Sequence, residues 1–323
     1  MANLPKPGVY LSMPDETYFG CGAIGSTDLK TLLRSPADWW YKSVHNPDNE
    51  NVYKPHFDFG KALHALILEG EAVFDRVAVV SPYSDFRKKE AQEWRDSMVE
   101  AGKAIITASE EKALRHMAAL VTNHPDVGLS KNFLREVAVI WEQDGMLMRA
   151  KFDAINPAFG LDLKSYGGAN TQGRSPYDSA MRFIAMRDYD LQRSHYHTGR
   201  EKMRDFINGG QVFGATDEHK PILQEIALRD KWAWCWLFYQ KLDNKAGHAP
   251  IVMPVAVMPE DASHRSGRQK IETAVTNYKG YVERFGFDVP WAQINPLTWA
   301  ADHDFVPWMS DVAPPQFRIG EAA

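Results

Sequence analysis

The chain has 323 residues, of which 44% are hydrophobic and 24% charged, and a formal net charge of -5. That is ample material for one large core or two smaller ones, and the acidic balance excludes a uniformly basic coat while leaving room for a local basic channel. Cys21 and Cys235 are the only cysteines, which excludes a disulfide framework and a four-cysteine metal site. The start MANLPKPGVYLSMPDE lacks a leader pattern, and no run of about eighteen apolar residues follows. A reduced, cytoplasmic protein without a membrane partner is expected.

In chain order, IGSTDLKTLLRSPADWWY offers Ser26 and Thr27 as N-caps, Leu29, Leu32 and Leu33 as an apolar stripe, and Ser35-Pro36 as a stop. This predicts a short helix and a second one from about Pro36. FDFGKALHALILEGEAVF places Ala62, Leu63, Leu66 and Ile67 at helical spacing and ends at Gly70. Residues 86–123 are charged and alanine-rich, and are predicted helical.

The period then changes. LREVAVIWEQDGMLMRAKFDAI alternates at Val137, Val139 and Trp141, and Asp144-Gly145 suits a tight hairpin. A strand returns from Met146 to Ile155, turns at Asn156–Gly160 and runs back through LDLKS. In this antiparallel meander Asp162 and Lys164 share one face, while Leu161 and Leu163 take the other; Asp153 lies on the adjacent strand, roughly 5 Å away. Charges on strands are seldom buried without a partner. Two readings fit their convergence: a structural ion pair with Lys164 between carboxylates, or a divalent-metal site with a lysine beside it.

Three further segments bear on the choice. Gly60-x-x-x-His64 sets a histidine on an otherwise apolar helix, where it is either a satisfied core residue or a ligand. Tyr189, Gln192 and Tyr196 fall on one helical face, which is either an amphipathic stripe or a site wall. SYGGANTQGRSP, residues 165–176, is a glycine-rich connection that either wraps phosphates or merely links elements.

Taken in order, Gly60-x-x-x-His64, Asp153, Asp162-Leu163-Lys164 and Tyr189-x-x-Gln192-x-x-x-Tyr196 resemble the PD-(D/E)xK nuclease superfamily. The resemblance is to its exonuclease VIII (RecE) branch, with relatives in the RecB nuclease domain and phage lambda exonuclease. GSTDLKTLLRSPADWW is similar to that branch's N-terminal helix, and FYQKLDNKAGHAPIVMPVAVMP to its late strand pair. Phe152 stands where the superfamily's name has proline, and residues 199–231 run longer than the branch usually does.

The resemblance implies an α/β fold: a mixed central sheet flanked by helices in one elaborated nuclease domain over 1–300, with a tail at 301–323. It implies two Mg²⁺ ions, replaceable by Mn²⁺. Asp153 would bridge them; Asp162 and the Leu163 carbonyl would hold one and His64 the other. Lys164 would position or deprotonate the attacking water, with Gln192 and Tyr196 fixing its loop or touching DNA. Glu136 either faces the same pocket or pairs with Arg135 or Arg149, and Tyr189 is a further possible site residue. Ser26, Lys30 and Arg34 follow each other along one helix face, and with Ser165 and Arg174 are expected to hold a terminal phosphate. The same helix face read alone is solvated. His195 and His197 are expected on the surface or facing DNA.

The implied activity is metal-dependent 5′→3′ degradation of double-stranded DNA from its ends, leaving 3′ strands for recombination. The implied partners are a RecT-type single-strand annealing protein and further copies of the chain in a ring. A structure-specific or single-strand endonuclease, and a non-catalytic DNA-binding protein, remain alternatives.

Overall fold

The Asp144-Gly145 turn places both residues in the left-handed region, at φ 54° and 78°, as a two-residue hairpin following the strand twist requires. It joins β4 (Leu134–Gln143) to β5 (Met146–Ile155), paired from Gln143↔Met146 to Leu134↔Ile155. Asn156 then makes the second turn, its Oδ1 accepting from the backbone N–H of Ala158 at 2.7 Å and Phe159 at 2.8 Å. This asparagine turn launches β6 (Phe159–Tyr166). These elements belong to a computed structural model that describes residues 4–49, 59–76, 78–129, 132–166, 174–240 and 250–295.

The meander is the middle of a seven-stranded sheet completed by β1 (Gly8–Tyr10), β7 (Val212–Phe213), β8 (Ala233–Gln240) and β9 (Ile251–Val257), in the order β7-β1-β4-β5-β6-β8-β9. Pairing is antiparallel except for β1–β7 and β6–β8. The run AWCWLFYQ of β8 is buried almost throughout, as expected of a strand covered on both faces. Trp234, Trp236 and Phe238 enter one core with Trp141, Phe152 and Leu191; Cys235 and Leu237 enter the other with Leu63, Leu161 and Leu163.

Helices cover both faces. The first core takes α2 (Ser26–Arg34), α3 (Pro36–Lys42), α9 (Tyr189–Asn208) and α11 (Ala262–Phe285). The second takes α4 (Phe59–Glu69) and α7 (Ala108–Thr122), with a small parallel pair formed by β2 (Ala78–Val80) and β3 (Ala104–Ile106). The remaining helices are α1 (Asp15–Gly20), α5 (Val73–Arg76), α6 (Lys89–Glu100), α8 (Pro176–Met186) and α10 (Lys220–Leu228). α11 crosses α9 so closely that a Cβ on Gly267 would collide with the Asp190 carbonyl and Ser194 Oγ.

The expected mixed α/β domain is therefore present, with local corrections. Gly25, not Ser26 or Thr27, is the N-cap of α2, and its N–H donates to Asp28 at 2.8 Å. Residues 86–123 are not continuously helical: Ala104–Ile106 form a strand because Ala104 and Ile106 are buried in the second core. Residues 199–231 extend α9 to Asn208 and then supply β7 and α10. The compact unit spans 1–291, and the expected 301–323 tail lies outside the described residues. No described helix is long and apolar enough to cross a membrane.

Candidate active site

β5 and β6 pair only at Ala154↔Leu161 and Ile155↔Gly160, whereas β6 pairs with β8 along all eight of its residues. Past Leu161, β6 follows β8 and the two meander strands part. The Asp153 carboxylate fills the gap, its Oδ2 accepting the Leu163 N–H at 2.6 Å. Across β5, Glu136 stands opposite Asp153 between the pairs Arg135↔Ala154 and Val137↔Phe152. Its φ of 52° interrupts the ladder there, an unusual conformation for a residue other than glycine and one that collects at functional sites.

His64 approaches from α4, with Nε2 3.2 Å from Asp153 Oδ2. Ligand atoms of His64, Glu136 and Asp153 all lie within 4.8 Å of one another. Two carboxylates and one imidazole make a donor set suited to a divalent cation. Lys151 holds the other side of Glu136, its Nζ 2.5 Å from Oε2 and 2.6 Å from Asp15 Oδ1. Sequence reasoning missed this lysine, although Lys151 and Asp153 alternate onto one strand face. Glu136 thus faces the cluster; its ionic partner is neither Arg135, which donates to the Leu68 carbonyl, nor Arg149, which bridges to Asp28.

Asp162 is not one of the three clustered groups. Its side chain is buried, and Oδ1 accepts from Lys164 Nζ at 2.8 Å and from Gln192 Nε2 at 2.9 Å. Oδ2 lies 2.7 Å from the same Nζ. Glu136 thus stands with His64 and Asp153, while Asp162, expected as a ligand from sequence, is engaged here by Lys164 and Gln192.

Burial opposes the Asp153 carboxylate, but His64, Lys164 and the Leu163 N–H together hold its pKa below the ordinary value. Burial, reinforced by the Asp153 charge, raises that of Asp162 in spite of Lys164. Desolvation also works against the Lys164 ammonium, yet Asp162 and Asp153 outweigh it and raise its pKa. Lys164 is therefore a cation at neutral pH.

α2 and α9 form the adjoining wall. Lys30 Nζ sits 4.8 Å and Lys164 Nζ 4.9 Å from the centre of the Tyr189 ring, so one aromatic ring serves two ammonium groups. Burial pushes Lys30 down to about 8, with the Lys164 charge adding to the effect. Ser26 lies half-buried in the first turn of α2. Arg34 is paired with Asp188, which also takes Lys270 at 2.8 Å, and the Arg34 side chain remains 62% exposed. Ser165 is exposed on β6, and Arg174 is exposed just ahead of α8.

Tyr196 does not reach the site surface. Its ring is buried against Phe152 and Trp234, at 5.1 and 5.4 Å between centroids. The face shared with Gln192 is real, but four residues along α9 carry it from the site wall to the sheet's core. His195 and His197 are buried rather than DNA-facing: His195 Nε2 lies 2.8 Å from the Arg149 carbonyl, and His197 stacks on Trp232.

Burial pushes His195 from its ordinary 6.5 down to about 4. Below pH 6.5 the unfolded chain takes up a proton that the native state refuses until about pH 4, so stability falls as the pH drops through that window. The expected loss is about 3 kcal/mol. Urea denaturation at stepped pH measures it, and His195→Gln is expected to flatten the decline.

Splayed strands bearing Asp153 and the Asp162-x-Lys164 pair, with a histidine helix on one face and a glutamine helix on the other, define a nuclease-like domain of the PD-(D/E)xK class. The chain belongs to the family described as PDDEXK-like domain of unknown function (DUF3799), whose family model matches residues 25–232. No curated protein matches it. A crystal structure of a candidate exonuclease from Eubacterium rectale is similar at a TM-score of 0.45 and 12% identity, covering 83% of this chain and 87% of that one.

Proposed function

We propose that this chain is a metal-dependent deoxyribonuclease that digests double-stranded DNA from 5′ ends and leaves 3′ single strands for recombination. The observation that carries the nuclease reading is the convergence of His64, Glu136 and Asp153 beside a buried Asp162–Lys164 pair. Structural ion pairs alone do not call for three ligand groups packed together next to a lysine. End polarity, a ring of copies and a RecT-type annealing partner rest on the sequence resemblance.

His64, Glu136 and Asp153 would hold the divalent ion, Mg²⁺ or Mn²⁺, which when bound polarises the phosphodiester and lowers the pKa of water. Asp153 ties this cluster to β6 through the Leu163 N–H, one residue from Lys164. Lys164 would position or deprotonate the attacking water from Nζ, beside the phosphate oxygens. Gln192 and Asp162 fix where that Nζ points. Lys30, with Ser26, Ser165 and Arg174, supplies donors for the end of the strand.

The test uses linear duplexes labelled at either end beside a covalently closed circle, in Mg²⁺, Mn²⁺ or EDTA, with Asp162→Ala as control. Metal-dependent release from 5′ ends that spares the circle, and is lost in Asp162→Ala, is the expected result. Cutting of the circle makes the chain an endonuclease. No cutting in either metal overturns the nuclease reading.

A further inference from the structure

The ammonium of Lys151 stands between two carboxylates, only one of which belongs to the cluster of His64, Glu136 and Asp153. Its Nζ lies 2.5 Å from Glu136 Oε2 and 2.6 Å from Asp15 Oδ1. Glu136 is held on β4 at a φ of 52°. Lys151 sits on β5 two residues before Asp153 and on the same face of the strand. Asp15 comes from α1, which packing fixes against these strands. Tyr18 is buried with Ala138 and Ile140 of β4, and Arg149 of β5 donates to the Phe19 carbonyl at 3.0 Å. The Lys151 side chain is 15% exposed and that of Asp15 46%. One end of the bridge therefore lies in the cluster, while the other opens to solvent.

A divalent ion in the cluster and the Lys151 ammonium draw on the same Glu136 charge and repel each other. An ammonium this far out of water also needs a partner, because a desolvated charge without one is costly. Asp15 supplies it. Nζ already touches Asp15 Oδ1, so the lysine gives up Glu136 without losing its last carboxylate and without backbone movement. A flexible stem carrying three rotatable donors suits that exchange better than a rigid guanidinium fork. We infer that Lys151 is a resident counter-cation of the cluster that competes with the divalent ion for Glu136, and that Asp15 takes up its ammonium when the ion binds. The pair thus sets how tightly the metal is held, which rests on the metal site of the proposed nuclease and adds to it a determinant of affinity.

The test is calorimetric titration of Mn²⁺ into the full chain at fixed ionic strength and without DNA, with thermal melting of each variant. Lys151→Met is expected to bind Mn²⁺ at least about tenfold more tightly than wild type. Lys151→Arg, which keeps the charge, is expected to return the affinity toward wild type. Asp15→Asn is expected to weaken binding roughly threefold, and to weaken it no further when combined with Lys151→Met. A purely structural bridge would instead lower the affinity in both single variants. Lys151→Met that melts like wild type and binds Mn²⁺ no more tightly overturns the inference. Asp15 is half-exposed, so Asp15→Asn decides even where Lys151→Met does not fold: an affinity unchanged or raised there overturns it too. If the wild type cuts DNA while Lys151→Met gains no affinity, the competition falls and the nuclease reading stands. If the two single variants shift Mn²⁺ affinity in opposite directions but the wild type cuts nothing in Mg²⁺ or Mn²⁺, the competition stands and the nuclease reading falls.

Discussion

Asp153→Asn is expected to leave a folded protein that neither binds divalent ions well nor cuts DNA. The amide keeps the volume of the carboxyl and an oxygen for the Leu163 N–H, now held at 2.6 Å. What disappears is the negative charge that faces His64 and Glu136 and that a cation held there would need. Removing a ligand should weaken Mn²⁺ binding by more than the ten- to hundredfold that loss of a ligand's hydrogen-bond partner costs. Cleavage should fall by at least about a thousandfold, since the electrostatic stabilisation of the transition state is lost with it. Calorimetric titration with Mn²⁺ and thermal melting separate the two effects. A variant that melts normally and binds Mn²⁺ as tightly as wild type would remove Asp153 from the metal site.

The second large effect concerns the buried pair. Lys164→Met leaves the Asp162 carboxylate, 3% exposed, with Gln192 as its remaining side-chain donor. Breaking a buried pair from one side costs about 3–5 kcal/mol, because the other charge stays desolvated. Adding Asp162→Asn removes that stranded charge, so the double variant is expected to recover most of the stability and none of the activity. Urea denaturation of wild type, both single variants and the double variant gives the coupling. Additive losses would mean that the two groups do not depend on each other, and Lys164 would then lose its assigned partner.

Much of this site could be read along the chain because it depends on strand alternation. Asp144-Gly145 gives the hairpin, and the one-residue spacing of Asp162 and Lys164 puts them together. The parting of β5 and β6 could not be read there, since it depends on β8, a strand some seventy residues further on that holds β6 along its whole length. Glu136 was ambiguous for a local reason: alternation assumes extended backbone, and its φ is 52°. Lys151 was missed because a lysine on a strand reads as solvated until Glu136 and Asp15 are seen on either side of it. The two histidines were misplaced by the opposite assumption. Their polarity suggested the surface, but aromatic neighbours, with a backbone carbonyl for His195, make room for neutral imidazoles inside.

The gap between β5 and β6 also leaves the site with its own spectroscopic probe. In a closed ladder the Leu163 amide would face a neutral carbonyl whose charge never changes; here it faces the Asp153 carboxylate. Its proton chemical shift and solvent-exchange rate therefore follow the charge state of that oxygen. A single backbone resonance thus registers protonation or cation binding in the resting protein, without DNA and without turnover.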